Sequence, residues 1–337
     1  MKTFQKEEIK RILVVRLRFI GDVLLTTPLL KNLKTALPEA KIYYMTEKAP
    51  ARILDCNPNV TGTIELEKGS ILEMLRTVKK IRMLKFDLAI DIFGNPRSSL
   101  LTAFSGAKYR AGWQVRGRSK GYNIILPPSK AKSSALKVYE DVLASLGFNT
   151  PCKHTELFLT SCEKAEAEKY YSVKGILKND RIIGLQPGAS WPAKIWKKKG
   201  FAALGDRLHK EGYKIVLFGG PKDRHTTKEV YELMKTKPIL ANGGSLRADA
   251  ALIEKLNCFV TNDHGPMHIS VAVGTPLVAV FGPGEPEIWF PYEDKKYVFI
   301  QNRQKCAPCR KKECEDMKCM ESVSVEQVYE KVRAVCR

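Results

Sequence analysis

The sequence predicts an α/β protein built from two doubly wound, Rossmann-like domains. Three observations carry this reading. Short apolar runs alternate with longer amphipathic ones along nearly the whole chain, the pattern of parallel sheets covered by helices on both faces. The series runs once and then restarts near residue 181. The length, 337 residues, has room for two domains of about 150 residues each.

Taken in order, Arg11–Val15, Lys41–Met45, Asp87–Ile92 and Lys108–Gly112 read as strands. Between and after them, 22–37, 70–84, 96–104 and 132–146 read as helices. In the second series 181–185, 214–218, 258–261 and 277–281 are the expected strands, and 201–211, 224–234, 248–256 and 266–273 the expected helices. The charged stretch 161–180 is the expected boundary. The resulting division is a first domain over 1–170, a second over 171–322 with a Cys-rich loop at 306–319, and a last helix within 323–337.

Composition narrows the class. Hydrophobic residues at 44% and charged residues at 28% suit a globular protein with sizeable cores, not a collagen-like, disordered or disulfide-stapled chain. Lys and Arg number 57 against 36 Asp and Glu, a net charge of +21, which attracts polyanions: nucleic acid, anionic lipid or phosphorylated substrates. The N-terminus, MKTFQKEEIK, has no apolar core of a secretory signal. The longest uncharged stretch, His264 to Gly284, is interrupted by Gly274 and Pro276, so it reads as helix, turn and buried strand. A cytoplasmic place, in contact with a membrane face at most, is expected.

In open parallel sheets ligands bind beyond the carboxyl ends of the strands. Three loops there hold candidate chemistry. In VRLRFIGDVLLTTP, Gly21 allows a tight turn and Asp22 sits near a helix start, either as a cap or as a carboxylate facing a ligand. The loop lacks GxGxxG, which argues against a nicotinamide dehydrogenase. In LQPGASWPAKIW, small residues, Ser190 and Lys194 suit a phosphate, although a solvated lysine fits as well. In VTNDHGPMH, Asp263, His264, Gly265 and His268 open an apolar helix whose first N–H groups form an anion site. His264 and His268 have the i, i+4 spacing of a metal pair, but no third ligand stands out.

Two further features stand apart. From Pro96 to Lys137 there are nine Lys and Arg and no acid, among them Arg110, Arg116, Arg118 and Lys120. This is either a solvated face or a surface for an anionic ligand, and no nucleic-acid motif accompanies it. Cys306, Cys309, Cys314 and Cys319 lie within fourteen residues. Free or redox-active thiols, a structural metal and disulfides all remain open, in a spacing unlike standard fingers.

Three segments, ILVVRLRFIGDVLLTTPLL, LQPGASWPAKIW and TNDHGPMHISVAVGTPLVAVFGP, resemble in order those of the lipopolysaccharide heptosyltransferases, glycosyltransferase family 9; the tail CAPCRKKEC extends the likeness. The opening Arg16-Leu17-Arg18 before Gly21-Asp22 is more similar to the branch-adding enzymes than to the inner-core ones. The resemblance implies a GT-B fold, two Rossmann-like domains facing each other across a cleft. It implies an inverting reaction that needs no metal or cofactor, moving heptose from ADP-heptose to lipopolysaccharide core or Kdo–lipid A. Asp22 is then the general base. Ser190, Lys194, Asp263, His264, Gly265 and His268 hold the donor, and Arg110, Arg116, Arg118 and Lys120 the acceptor. Ala189 and His264 stand where other members carry hydroxyls. Expected partners are the nucleotide sugar, the acceptor and the anionic inner-membrane surface, with no nucleic acid. A related transferase with another donor or acceptor, and a non-catalytic polyanion-binding protein, are the rival readings.

Overall fold

The computed structural model describes residues 5–66, 71–114, 121–128, 132–241, 244–309 and 311–336. The chain forms two compact units, Met1–Phe158 and Leu159–Arg337.

In the first unit the strands are β1 Arg11–Val15, β2 Lys41–Glu47, β3 Gly62–Leu66, β4 Leu88–Asp91, β5 Tyr109–Trp113 and β6 Ile124–Leu126. They lie in the order β3-β2-β1-β4-β5-β6, every pair parallel. The second unit repeats the plan with β7 Ile182–Gln186, β8 Lys214–Leu217, β9 Ile239–Leu240, β10 Cys258–Asn262, β11 Leu277–Phe281 and β12 Tyr297–Gln301. Its order is β12-β11-β10-β7-β8-β9, again all parallel. Both are the doubly wound order in which the winding reverses beside the first strand, between β1 and β4 and between β7 and β10. The central strands are continuous apolar runs because helices cover both faces; β10 and β11 are buried throughout.

Two local outcomes differ from the expectation drawn from sequence. The helix expected over 22–37 is two helices, Ile20–Leu25 and Thr27–Ala36. Pro28 has no N–H to give Leu24 and its ring would clash with that carbonyl. The Thr27 hydroxyl bonds the Leu24 carbonyl instead, at 2.7 Å. Secondly, helix Ser161–Val173 occupies the stretch expected to link the domains, capped by Thr160 with Glu163. It packs in the second unit: the Tyr171 hydroxyl donates to the Leu252 carbonyl at 2.9 Å, and Arg247 pairs with Glu163 at 2.5 Å. The Arg247 guanidinium pushes the Glu163 pKa down to about 2. The division between the units therefore falls ahead of this helix rather than at residue 170. The last helix, Val325–Val335, also packs in the second unit, burying Val328, Tyr329 and Val332 against helix Lys198–Lys210 and β11.

Trp196 anchors the second core. It is fully buried, stacks edge-on against Phe201 and donates its indole N–H to the Val323 carbonyl at 3.0 Å. Trp196→Ala is expected to cost about 3–5 kcal/mol of unfolding free energy, the range for large-to-small changes of a buried aromatic. Denaturant unfolding measures it, and a loss under about 1 kcal/mol would contradict the anchoring role. No helix among the described residues is long and apolar enough to cross a membrane.

Candidate active site

The loops singled out from sequence sit at the two switch points. In the first unit, Asp22 lies in the first turn of helix Ile20–Leu25, following β1. It is not the N-cap. Its Oδ2 reaches back to accept the Phe19 N–H at 3.0 Å, while Oδ1 accepts from Arg16 Nη2 at 2.6 Å. Both side chains are mostly buried, at 10% and 16% exposure for Asp22 and Arg16. Arg16 also donates Nη1 to the Ile92 carbonyl at 3.0 Å and lies over the Phe93 ring at 5.0 Å. One guanidinium thus ties the loop after β1 to the loop after β4 and fixes the carboxylate between them. Burial works against the Arg16 charge, but the neighbouring Tyr139 and Asp22 outweigh it and hold the guanidinium protonated.

Across the same switch point, Asp91 ends β4 fully buried. It accepts from the N–H groups of Phe93 and Gly94, both at 2.9 Å, and from the Tyr122 hydroxyl at 2.6 Å. Burial raises its pKa in spite of these bonds. Its work is local: it shapes the turn into helix Pro96–Ala103.

In the second unit, β7 and β10 feed the other two loops. Asn262, last residue of β10, donates to the carbonyls of Pro187 and Gly188 at 2.9 and 3.0 Å and accepts from Trp196 N–H at 3.0 Å. That amide holds the 187–196 loop against the 263–268 loop. Lys194 and Asp263 form an ion pair at 2.5 Å. Asp263 is followed by His264, which stands at the N-cap position of helix Gly265–Ala272 without a side-chain capping bond. Of that helix's first N–H groups, Met267's donates to the His264 carbonyl at 3.1 Å and Pro266 has none, which leaves the N–H of Gly265. His268 Nδ1 is hydrogen-bonded to the Tyr292 hydroxyl at 2.6 Å. The buried Nδ1 of His264 has no hydrogen-bond partner among the described residues.

Close packing explains two glycines. A Cβ on Gly284 would meet Asp263 Oδ2 at 2.4 Å, and one on Gly188 would meet Asp223 Cγ at 2.2 Å. Asp223 is buried and accepts from Gln186 Nε2 at 3.1 Å.

The structure therefore brings Lys194, Asp263, His264, Gly265 and His268 together. Ser190 is exposed on the same loop, and no described contact ties it to the others. Arg16 belongs to the site of the first unit, and Gln186, Asp223, Asn262 and Tyr292 to that of the second, although sequence reasoning gave them no role. Arg16, Gln186 and Asn262 lay inside the segments already singled out, and Asp223 follows β8 by six residues. Tyr292 carried no signal. Arg110 spends its guanidinium on the carbonyls of Gly121 and Ala107, at 2.8 and 2.7 Å. Arg116, Arg118 and Lys120 lie outside the described residues.

The Cys-rich loop backs this second site. The Ala193 N–H donates to the Lys312 carbonyl at 3.0 Å and the Cys309 N–H to the Pro283 carbonyl at 3.2 Å. Cys319 Sγ lies 3.3 Å from where a Cβ on Gly282 would stand. All four thiols are free, and burial together with its three sister thiols pushes the Cys319 thiol up. Among the described residues no group of His, Cys, Asp or Glu is arranged to hold a metal ion. The loop's visible contribution is mechanical support.

Electrostatics set the charge states. Burial lowers the His268 pKa to about 4, against the pull of Asp263, and His264 and Lys194 push the same way as burial. Burial also lowers the pKa of His264. Both rings are neutral near pH 7. A histidine depressed in the folded state binds fewer protons there than in the unfolded chain. Stability is therefore full above the unfolded value of about 6.5 and falls as pH drops from there toward 4, by up to about 1.4 kcal/mol per pH unit. His268→Gln should flatten the unfolding free energy between pH 6.5 and 4; an unchanged slope would show that His268 does not set it.

The chain is similar to known proteins over most of its length. Residues 74–320 match glycosyltransferase family 9 (heptosyltransferase). Lipopolysaccharide heptosyltransferase 2 of Escherichia coli K12 is 28% identical over 306 residues, 86% of this chain and 87% of that one. Lipopolysaccharide heptosyltransferase 3 of Escherichia coli is 27% identical over 309 residues, 87% and 90% of the two chains. Among solved structures, the family 9 glycosyl transferase of Veillonella parvula DSM 2008 superposes with a TM-score of 0.88 at 28% identity, over 97% of each chain. The Escherichia coli ADP-heptose lipopolysaccharide heptosyltransferase II gives 0.80 at 25% identity, over 97% and 98%. The fold is of the GT-B type, and the chain belongs to glycosyltransferase family 9, the heptosyltransferases.

Proposed function

We propose that this enzyme transfers heptose from ADP-heptose to the core oligosaccharide of lipopolysaccharide, or to Kdo–lipid A, with inversion at the anomeric carbon. The observation that carries the reading is the cluster of Lys194, Asp263, His264 and His268 at the head of helix Gly265–Ala272, on the switch point of the second sheet. A diphosphate there meets a lysine cation and the N–H of Gly265 at the helix start, elements that stabilise charge on a departing nucleoside diphosphate. His268 is neutral, with Nδ1 held by Tyr292, which leaves Nε2 to bond a phosphate or sugar oxygen. His264 Nδ1 is a second polar atom suited to the donor.

In the proposed step the acceptor hydroxyl oxygen forms a bond to the anomeric carbon as the bond from that carbon to the phosphate oxygen breaks. The electron pair leaves with ADP. Asp22 takes the hydroxyl proton, and the Arg16 and Phe19 bonds keep its carboxylate oriented for this. No step calls for a divalent ion, because Lys194 and the N–H at the helix start meet the leaving charge. The enzyme works on the cytoplasmic side, at the membrane that carries the acceptor.

Incubation with ADP-heptose and a truncated core acceptor is expected to release ADP in step with heptosylated product, at a rate unchanged by EDTA. A panel of other nucleotide sugars should be turned over poorly. Efficient use of a different donor, with ADP-heptose inert, would replace this reading by a related transferase.

A further inference from the structure

Helix Ile71–Met83 has two apolar faces. Met74, Val78 and Ile81 pack on the core beneath the first sheet. Leu72, Leu75 and Met83 point the other way and are 56%, 57% and 71% exposed. With Arg76 and Lys79 they recur at i, i+3, i+4, i+7 and i+11, one continuous stripe on a helix surface.

The neighbouring helix, Pro96–Ala103, extends the patch. It packs beside Ile71–Met83, and Leu100 and Phe104 at its outer side are 43% and 52% exposed. A Cβ on Gly106, just beyond Phe104, would stand 3.9 Å from Arg82 Cγ, so the ends of the two helices are neighbours. Scattered apolar residues on a surface are ordinary, but five on two adjoining helices are not.

The rim is basic. Residues 71–85 hold Arg76, Lys79, Lys80, Arg82 and Lys85 against one acid, Glu73, which is half-buried. Helix Pro96–Ala103 adds Arg97 and no acid. Arg76, Lys79, Lys80 and Arg82 have no ion-pair partner among the described residues. The first unit as a whole carries 27 Lys and Arg against 14 Asp and Glu, a net charge of +13.

We infer that this two-helix face docks on an anionic lipid bilayer. Apolar side chains flanked by Lys and Arg, on a helix lying flat, are what an interfacial helix presents to acyl chains and headgroups. Two copies of so basic a face repel each other, which disfavours self-association as its use. The inference rests on the proposed function only for its purpose, bringing the enzyme to a lipid-anchored acceptor.

The test is cosedimentation of the full chain with vesicles of phosphatidylcholine alone or with phosphatidylglycerol added. Binding is expected only with phosphatidylglycerol, and it should fall with salt. The triple variant L72S/L75S/M83S should weaken it on the order of ten-fold or more, and R76Q/K79Q/K80Q should weaken it and flatten the salt dependence. An unchanged melting temperature shows that the variants fold. Transfer to a water-soluble, delipidated core acceptor should stay at the wild-type rate in both. Vesicle binding without transfer activity would sink the proposed function and leave this inference standing. Wild-type binding in the triple variant would overturn the docking face. So would a dimer that the triple variant abolishes, with no lipid binding by the wild type.

Discussion

Asp22→Asn is expected to lower kcat for heptose transfer by on the order of 10²-fold or more, the scale of losing a positioned general base. The amide is nearly isosteric but cannot take the acceptor proton. It also disturbs the local bonding. Each carboxylate oxygen of Asp22 accepts one bond, from Arg16 Nη2 and from the Phe19 N–H. An amide offers one oxygen, so one of these donors must face an NH₂ group. The expected signature is therefore a collapse of turnover, a modest drop in melting temperature and unchanged affinity for ADP, whose proposed contacts all lie in the second unit. Affinity is read by calorimetry and turnover by ADP release. A kcat within about threefold of wild type, far short of the general-base scale, would remove Asp22 from the chemistry.

The core of this fold was legible because its central strands are written as unbroken apolar runs. RILVV of β1 and LVAVF of β11 are buried in all or nearly all positions and announce themselves. The four strands that the sequence reading missed are β3, β6, β9 and β12, and each is the outer strand of its sheet. An edge strand has one neighbour and a half-wet face. Its residues, such as GTIEL in β3 and YVFIQ in β12, are mixed in burial and lack a run to detect. Helix Ser161–Val173 was hidden for a related reason: only Ala167 and Tyr171 are buried, so its charged surface reads as a linker.

The candidate site was legible wherever a candidate side chain sits in the loop after a central strand. Asp22, Lys194, Asp263 and His268 all do, because the doubly wound order puts those loops at the switch points. What stayed hidden were the side chains that act through another. Arg16 matters by crossing from β1 to the Ile92 carbonyl, Asn262 by clasping the 187–196 loop, and Tyr292 by meeting His268 from 24 residues away. Such roles depend on which loop lies opposite, and neither spacing nor residue type encodes that in a single sequence.

Lys194→Ala is expected to lower kcat/KM by on the order of 10²–10³-fold, the range found when a group that stabilises transition-state charge is removed. Two effects combine. The leaving diphosphate loses its lysine cation, and Asp263, with a side chain only 7% exposed, loses its ion-pair partner. The second effect leaves a buried carboxylate uncompensated, which is costly in itself. Asp263→Asn in the same background separates them. If Asp263 chiefly neutralises Lys194, the double variant should be more stable than Lys194→Ala alone, yet no more active, because the diphosphate still lacks its cation. The histidines report independently. Lys194 is one of the charges that lower the pKa values of His264 and His268, so its removal should raise both, an effect visible by NMR titration. A Lys194→Ala enzyme with wild-type kcat/KM and shifted histidines would place the lysine beside the site without a part in the reaction. Lost activity together with shifted histidines is the outcome that a diphosphate seated at the head of helix Gly265–Ala272 requires.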